Sequence, residues 1–294
     1  MILFLKLVQI ISILFIVCLV LVSLISAIEN RRLRVTDYQI LSSKIHPDFD
    51  GYRIVHLTDL HNAVFGDHNA RLIKRIESLK PDVILITGDM FVCRAGGDVD
   101  IAADTVNALT HVAPVYYSLG NHELRTVLYP EQYENMWSRF VNRLETGVTF
   151  LKDQQTELVK ENACIKLYGL NLTPELYRRF QKTPMPEGYL ESLFGTCDAS
   201  QFHIFMAHNP DYFEDYTAWG ADLVFSGHIH GGMVRLPFLG GVISPMVHFF
   251  PKYDRGLFEN AGGSMILSGG LGNHSIKFRV NNLPEIVSVT LGHK

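Results

Sequence analysis

Along most of the chain the apolar residues come in short unbroken bursts, each closed by a cluster of Asp, Asn, His and Gly. Tyr52 to Thr58 runs into Asp59, Asp82 to Thr87 into Gly88-Asp89, and Pro114 to Leu119 into Gly120-Asn121-His122. Phe202 to Met206 and Asp222 to Ser226 end in the same way, at Ala207-His208 and Gly227-His228. Bursts rich in Val, Ile, Leu and Phe that do not alternate with polar residues predict strands buried on both faces. Helix-like stretches at Asn69 to Leu79 and Asp98 to Leu109 separate the first three, giving a β-α-β-α-β order. That order predicts a parallel sheet with its chemistry at the C-terminal strand ends, where every polar cluster falls.

The second half adds candidate strands at Cys164 to Leu170, Ser264 to Leu267 and Ile286 to Leu291. Two sheets packed face to face and covered by helices accommodate this count. Glu123 to about Lys160 and Thr173 to Ala199 read as loops and helices outside that core, either a lid over the site or surface decoration.

A different pattern occupies the N-terminus. From Leu7 to Ile28 the chain is apolar apart from Gln9, Ser12, Ser23 and Ser26, and carries no charge. As a helix this stretch of roughly 22 residues is about 33 Å long, enough to cross a bilayer core of about 30 Å. A cleaved signal peptide is the rival reading, but the apolar part is long for one and Ser26-Ala27-Ile28 is a poor cleavage site. The expected organisation is a single-pass anchor over residues 1–30 and one domain over residues 31–294. Arg31, Arg32 and Arg34 follow the apolar run whereas Lys6 precedes it, so the positive-inside rule favours a cytoplasmic domain.

Composition narrows the function classes. The 294 residues carry a net charge of −4 with no basic stripe, so the electrostatic footprint of a nucleic-acid binder is missing. Outside the apolar run the cysteines are Cys93, Cys164 and Cys197, an odd number without framework spacing, which suits a reducing compartment.

The polar clusters carry the chemistry. Mixed carboxylate and imidazole without thiolate suits Mn, Fe, Zn, Ni or Co better than Mg or Ca. Asp59 and His61 stand two apart, so at an extended strand end both point to one side; His228 and His230 repeat that spacing. Asp89 has two oxygens with which to bridge two ions, Asn121 offers a neutral amide oxygen, and His208 completes the set. Two divalent ions against two carboxylates and a bridging hydroxide leave about one positive charge to attract a phosphate oxygen. His122, next to the ligand Asn121, is the candidate for steadying the transition state or protonating the leaving oxygen. His56, His68, His111, His203, His248 and His274 are expected to be core or surface residues. Tyr253, Arg255 and Asn273, in Gly-rich loops, are candidates for substrate contact.

Asp59-x-His61, Gly88-Asp89, Gly120-Asn121-His122-Glu123, His208 and Gly227-His228-x-His230, in that order, resemble the signature of the calcineurin-like metallophosphoesterases. The resemblance spans residues 34 to 292. Gly227 to Pro237, Gly269-Gly270-Leu271-Gly272 and Pro284-Glu285-Ile286 look like its bacterial membrane-associated branch, which includes YkuE-like and YaeI-like phosphodiesterases. Ile229 and Met233 depart from that branch's pattern, which puts substrate contacts alone in doubt. The resemblance implies a four-layer α/β/β/α sandwich. It also implies one metal on Asp59, His61, Asp89 and His230, a second on Asp89, Asn121, His208 and His228, and His122 as the catalytic histidine. The expected reaction is hydrolysis of a phosphodiester or pyrophosphate, with the substrate lipid-linked because the anchor keeps the site near the bilayer. A soluble cyclic nucleotide or monoester, or an inactive metal-binding scaffold, are the alternatives.

Overall fold

The computed structural model describes residues 1–178, 182–244, 249–273 and 278–294, so His248 and His274 lie outside the described residues. Helix α1 (Ile2–Glu29) is followed by β1 (Arg34–Ser42), β2 (Arg53–Leu57), α2 (Ala70–Glu77), β3 (Val83–Ile86) and α3 (Asp100–Thr110). Next come β4 (Val115–Tyr117), α4 (Asn121–Leu128), α5 (Met136–Arg143) and β5 (Val148–Phe150). The chain then crosses to β6 (Gln154–Lys160), β7 (Ala163–Leu170), α6 (Tyr189–Phe194), β8 (His203–Ala207), α7 (Phe213–Trp219) and β9 (Leu223–Ser226). It ends with a small hairpin, β10 (Arg235–Leu236) and β11 (Gly240–Gly241), then β12 (Gly256–Glu259), β13 (Ser264–Leu267) and β14 (Glu285–His293).

Two six-stranded sheets result, one ordered β1-β14-β2-β3-β4-β5 and the other β12-β13-β9-β8-β7-β6. In the first, β2, β3, β4 and β5 run parallel, while β14 lies antiparallel to β2 and parallel to β1. In the second, β7, β8, β9 and β13 are parallel and the edge strands β6 and β12 are antiparallel to their neighbours.

Strands buried on both faces need apolar cover on both, and three clusters supply it. Ile54, Leu85, Val287 and Val289 of the first sheet meet Ile165, Ile204, Met206 and Phe225 of the second in the layer between the sheets. The outer face of the first sheet, with Val55, Ile84 and Tyr117, packs on Leu72 and Ile76 of α2, Val106 of α3 and Phe140 of α5. The outer face of the second, with Tyr168, Phe205 and Val224, packs on Leu190 of α6 and Phe213, Tyr216 and Trp219 of α7. The architecture is therefore the expected α/β/β/α sandwich. All four residues of β3 are buried, which explains why its sequence shows no alternation.

The segment from Glu123 to Lys160 departs from its expected place outside the core. It supplies α4 and α5, and then an edge strand to each sheet, β5 and β6. β6 escaped sequence reading because edge strands need bury only one face, and Gln154, Gln155, Glu157 and Val159 are exposed. The short β5 and the exposed β1 and β12 escaped for the same reason.

Helix α1 is longer than the predicted run, starting at Ile2, and its apolar side chains are exposed along most of its length. It is long and apolar enough to cross a membrane. Its C-terminal end does not hang free. Ser26 Oγ accepts the Arg279 N–H at 2.9 Å, and the Glu29 carboxylate accepts the N–H groups of Asn281 and Asn282 at 3.1 and 3.2 Å.

Candidate metal centre

Every predicted site residue leaves the C-terminal end of a strand in one of the two sheets, and all of them converge on one buried point. Asp59 and His61 follow β2, Asp89 follows β3, and Asn121 and His122 open α4 just after β4. From the other sheet come His208 after β8 and His228 and His230 after β9. All eight are buried.

The means of convergence differs from the sequence expectation. Asp59 and His61 are not on extended backbone; their φ angles are +53° and +45°, and those of Asp89, His228 and His230 are +56°, +71° and +53°. Five of the eight thus adopt the left-handed conformation, which costs a residue with a Cβ about 1 kcal/mol or more and collects at functional sites. Turning the backbone left-handed redirects each side chain off its strand end, so the i, i+2 pairs converge through a local twist of the chain and not through strand alternation.

Glycines make room for these turns. A Cβ on Gly88 would lie 1.9 Å from the Gly120 nitrogen, and one on Gly227 would lie 2.4 Å from Asp59 Oδ2. Any larger residue at either position would push two strand ends apart.

Each carboxylate is divided between holding and offering. Asp59 Oδ2 accepts the Thr58 hydroxyl and the His228 N–H, both at 3.0 Å. Its Oδ1, buried and without a hydrogen bond, lies 3.2 Å from His230 Nε2, 3.7 Å from His61 Nε2 and 3.8 Å from His208 Nε2. Asp89 Oδ1 accepts the His122 N–H at 2.8 Å, at the positive N-terminal end of α4. Its Oδ2 lies 3.1 Å from His208 Nε2, 3.8 Å from His61 Nε2 and 3.9 Å from His122 Nε2.

The imidazoles are oriented from behind. His208 Nδ1 lies 2.6 Å from the Thr87 carbonyl and His230 Nδ1 lies 3.1 Å from the Gly272 carbonyl. A carbonyl only accepts, so each Nδ1 carries a proton and each Nε2 is the nitrogen turned inward, the orientation a metal ligand needs. Asn121 Oδ1 is buried without a hydrogen bond, an arrangement that costs about 1–3 kcal/mol unless something satisfies it. His122 is arranged oppositely. Its Nδ1 accepts the Cys93 N–H at 2.8 Å, so its proton sits on Nε2, facing Asp89.

Three groupings have ligand atoms close enough to share an ion: Asp59 with His61 and His230, Asp89 with His208 and His228, and His61 with Asp89 and His122. The third overlaps the first two, and His122 differs from His208 and His230 in that its Nδ1 accepts a hydrogen bond where theirs donate. The donor set therefore fits two adjacent divalent cations.

Electrostatics agree with that fit. Burial raises Asp59 and Asp89, but the imidazoles around them outweigh it and hold both carboxyls well below their usual range. Burial lowers His208, yet Asp89 and Asp59 push it up to about 9, so without a cation its Nε2 holds a proton towards Asp89 Oδ2, and a cation would take that proton's place. Burial holds His228 at about 3 and His230 at about 4, keeping both neutral.

The central observation that sequence reading missed is Glu123. Its carboxylate accepts the N–H groups of Asp89, Met90 and Gly120 and the Tyr117 hydroxyl, at 2.8, 2.7, 3.1 and 2.7 Å. It fastens the β3 loop to the start of α4 and so sets the position of Asp89. Burial, then the Asp89 charge, raises Glu123 to about 7. Tyr177 was missed as well; its ring meets His228 edge-on at 5.3 Å, beside a cleft lined by Arg178 and Lys182.

The remaining candidates have structural partners. His56 is buried between the sheets with Nε2 2.8 Å from Thr87 Oγ1, and His203 lies between Tyr168 and the Asp198 carbonyl. His68 and His111 are exposed. Tyr253, Arg255 and Asn273, the candidates for substrate contact, bond to Glu214, Asn282 and Asn30.

Residues 52–232, more than half of the chain, match the calcineurin-like phosphoesterase family. The chain belongs to that family. It is a metal-dependent phosphoester hydrolase, similar to the metallophosphoesterase YkuE of Bacillus subtilis (27% identity over 90% of this chain and 87% of that protein). It is also similar to phosphodiesterase YaeI of Escherichia coli, at 28% identity over 82% of each chain. The UDP-2,3-diacylglucosamine pyrophosphatase LpxG of Chlamydia trachomatis is 28% identical over 80% of this phosphoesterase and 84% of its own length.

Proposed function

We propose that this phosphoesterase is membrane-anchored through α1 and cleaves a phosphodiester or pyrophosphate bond in a lipid-linked substrate. The observation that carries the reading is the facing of Asp59 Oδ1 and Asp89 Oδ2 by imidazole Nε2 atoms whose Nδ1 protons are fixed from behind. In this reading Asp59, His61, Asp89 and His230 hold one divalent cation, and Asp89, Asn121, His208 and His228 the other. When bound, two such cations, drawn from Mn, Fe, Zn, Ni and Co, supply charge neutralisation and an activated water for in-line attack on phosphorus.

The chain's own residues do the rest. Asp89 spans both positions because Glu123 and the α4 N-terminus fix its backbone and its Oδ1, leaving Oδ2 inward. His122 holds a proton on Nε2 and delivers it to the leaving oxygen. Arg178 and Lys182, in the cleft beside His228, bind the remaining negative charge of the substrate.

The anchor comprises residues 1–30 and the catalytic domain residues 31–294. Arg31, Arg32 and Arg34 after α1, against Lys6 before it, favour a domain on the cytoplasmic side. The lipid-linked substrate rests on the anchor and on the similarity to LpxG, a pyrophosphatase of a diacylated nucleotide sugar. The test is full-length protein in lipid nanodiscs, loaded with Mn, assayed against soluble monoesters, soluble diesters, soluble pyrophosphates and a nucleotide-linked diacyl lipid. Preferential turnover of the lipid supports the proposal, and turnover confined to soluble esters overturns it.

A further inference from the structure

We propose that the β10–β11 hairpin, with Phe249 and Phe250 beside it, is a second membrane contact that seats the mouth of the metal centre on an anionic bilayer. The inference rests on α1 being inserted, as the proposed function requires.

The hairpin turn carries Leu236, Phe238 and Leu239, all exposed, with Phe238 fully so. Phe249 and Phe250, also exposed, are tied to the same hairpin by the Ile243–Phe249 bridge and by the Phe250 N–H donating to the Val242 carbonyl at 3.0 Å. Scattered surface apolar residues need no explanation, but five large ones on one small projection mark a contact surface.

The backbone says what that surface meets. At the base of the hairpin Val234 bridges to Val280, and the Arg235 N–H donates to the Val280 carbonyl at 2.9 Å. The neighbouring N–H groups of Arg279, Asn281 and Asn282 donate to Ser26 and Glu29, at the end of α1. A single short segment therefore ties the apolar projection to the point where the apolar helix ends. The same segment reaches the site: Asn282 Nδ2 donates to the His230 and Gly232 carbonyls, both at 2.7 Å. The end of α1, the hairpin and the metal centre are thus joined by direct bonds.

Charge fits the same occupant. Arg31 and Arg32 are exposed just past α1, and the next residue, Leu33, lines a cleft with Arg71, Lys74 and Arg75 of α2. Apolar side chains flanked by Lys and Arg are the composition that binds the interface of anionic lipid.

The test uses full-length protein in nanodiscs of brominated, anionic phospholipid, with tryptophan placed as Phe238→Trp, Val159→Trp on the far edge strand β6, or Leu14→Trp within α1. Emission above that of the native tryptophans should be quenched and blue-shifted at position 238 and at position 14, and unaffected at position 159. Quenching at 14 with none at 238 overturns the second contact and leaves the anchor standing. No quenching at either overturns both. A blue shift at 238 that depends on protein concentration and is insensitive to bromine assigns the surface to a second copy, and also overturns the proposal.

Discussion

A Cβ added to Gly120 would lie 2.2 Å from Asp89 Oδ1 and 2.6 Å from the Asp89 nitrogen. The carboxylate proposed to serve both metals is therefore positioned against bare backbone. Gly120→Ala should displace Asp89, costing about 1–3 kcal/mol in overpacking and lowering metal content. Thermal melting and elemental analysis of the reconstituted variant check it. A variant with the wild-type melting temperature and a full metal complement would show that Asp89 tolerates the displacement.

Asp89→Ala should remove metal and activity together, because its Oδ2 faces ligands of both groupings. Elemental analysis beside a phosphodiester assay is sufficient. A metal-loaded, active variant would sink the bridging assignment.

His122→Ala should lower turnover by about 10² to 10⁴ with metal retained, as expected on losing a general acid. The measurement also separates the two roles open to this imidazole, which lies within ligand distance of His61 and Asp89. Loss of an ion along with the rate would make His122 a ligand instead.

Acid stability should depend on His56. Burial holds it at about 3 against an ordinary 6.5, so the folded chain keeps it neutral while the unfolded chain takes up a proton below 6.5. Stability from this source is intact above about pH 6.5 and falls by about 1.4 kcal/mol per unit as pH drops towards 3. Melting curves of His56→Leu between pH 7 and 4 should show a shallower decline than those of the natural chain. Equal slopes would mean that His56 is protonated in the fold.

Much of this was legible because ligands and strand ends share a boundary in the sequence. Asp59, Asp89, His208 and His228 each stand directly after, or within two residues of, a run that becomes a buried parallel strand. What the sequence does not disclose is how adjacent residues reach one point. The i, i+2 spacing of Asp59 and His61 suggests strand alternation, whereas left-handed backbone brings them together, and only tertiary packing selects that conformation. Glu123 was visible as a residue but not as a fastening, because its partners at Asp89 and Met90 are more than thirty positions away in the chain. Arg279 was overlooked for a different reason, that most of its partners are backbone. It is fully buried and donates to the carbonyls of Gly269, Gly270, Gly272 and Asn282, four acceptors with no side-chain signature.

Strand β14 lies between β1 and β2, the first two strands of the domain. Neither pairs with the other, so their joining waits on a strand from the opposite end of the domain, and the end of α1 waits likewise for Arg279. The first sheet of this enzyme is thus completed by its least local pairing, the kind of contact that repays its loop-closure cost last and slows folding.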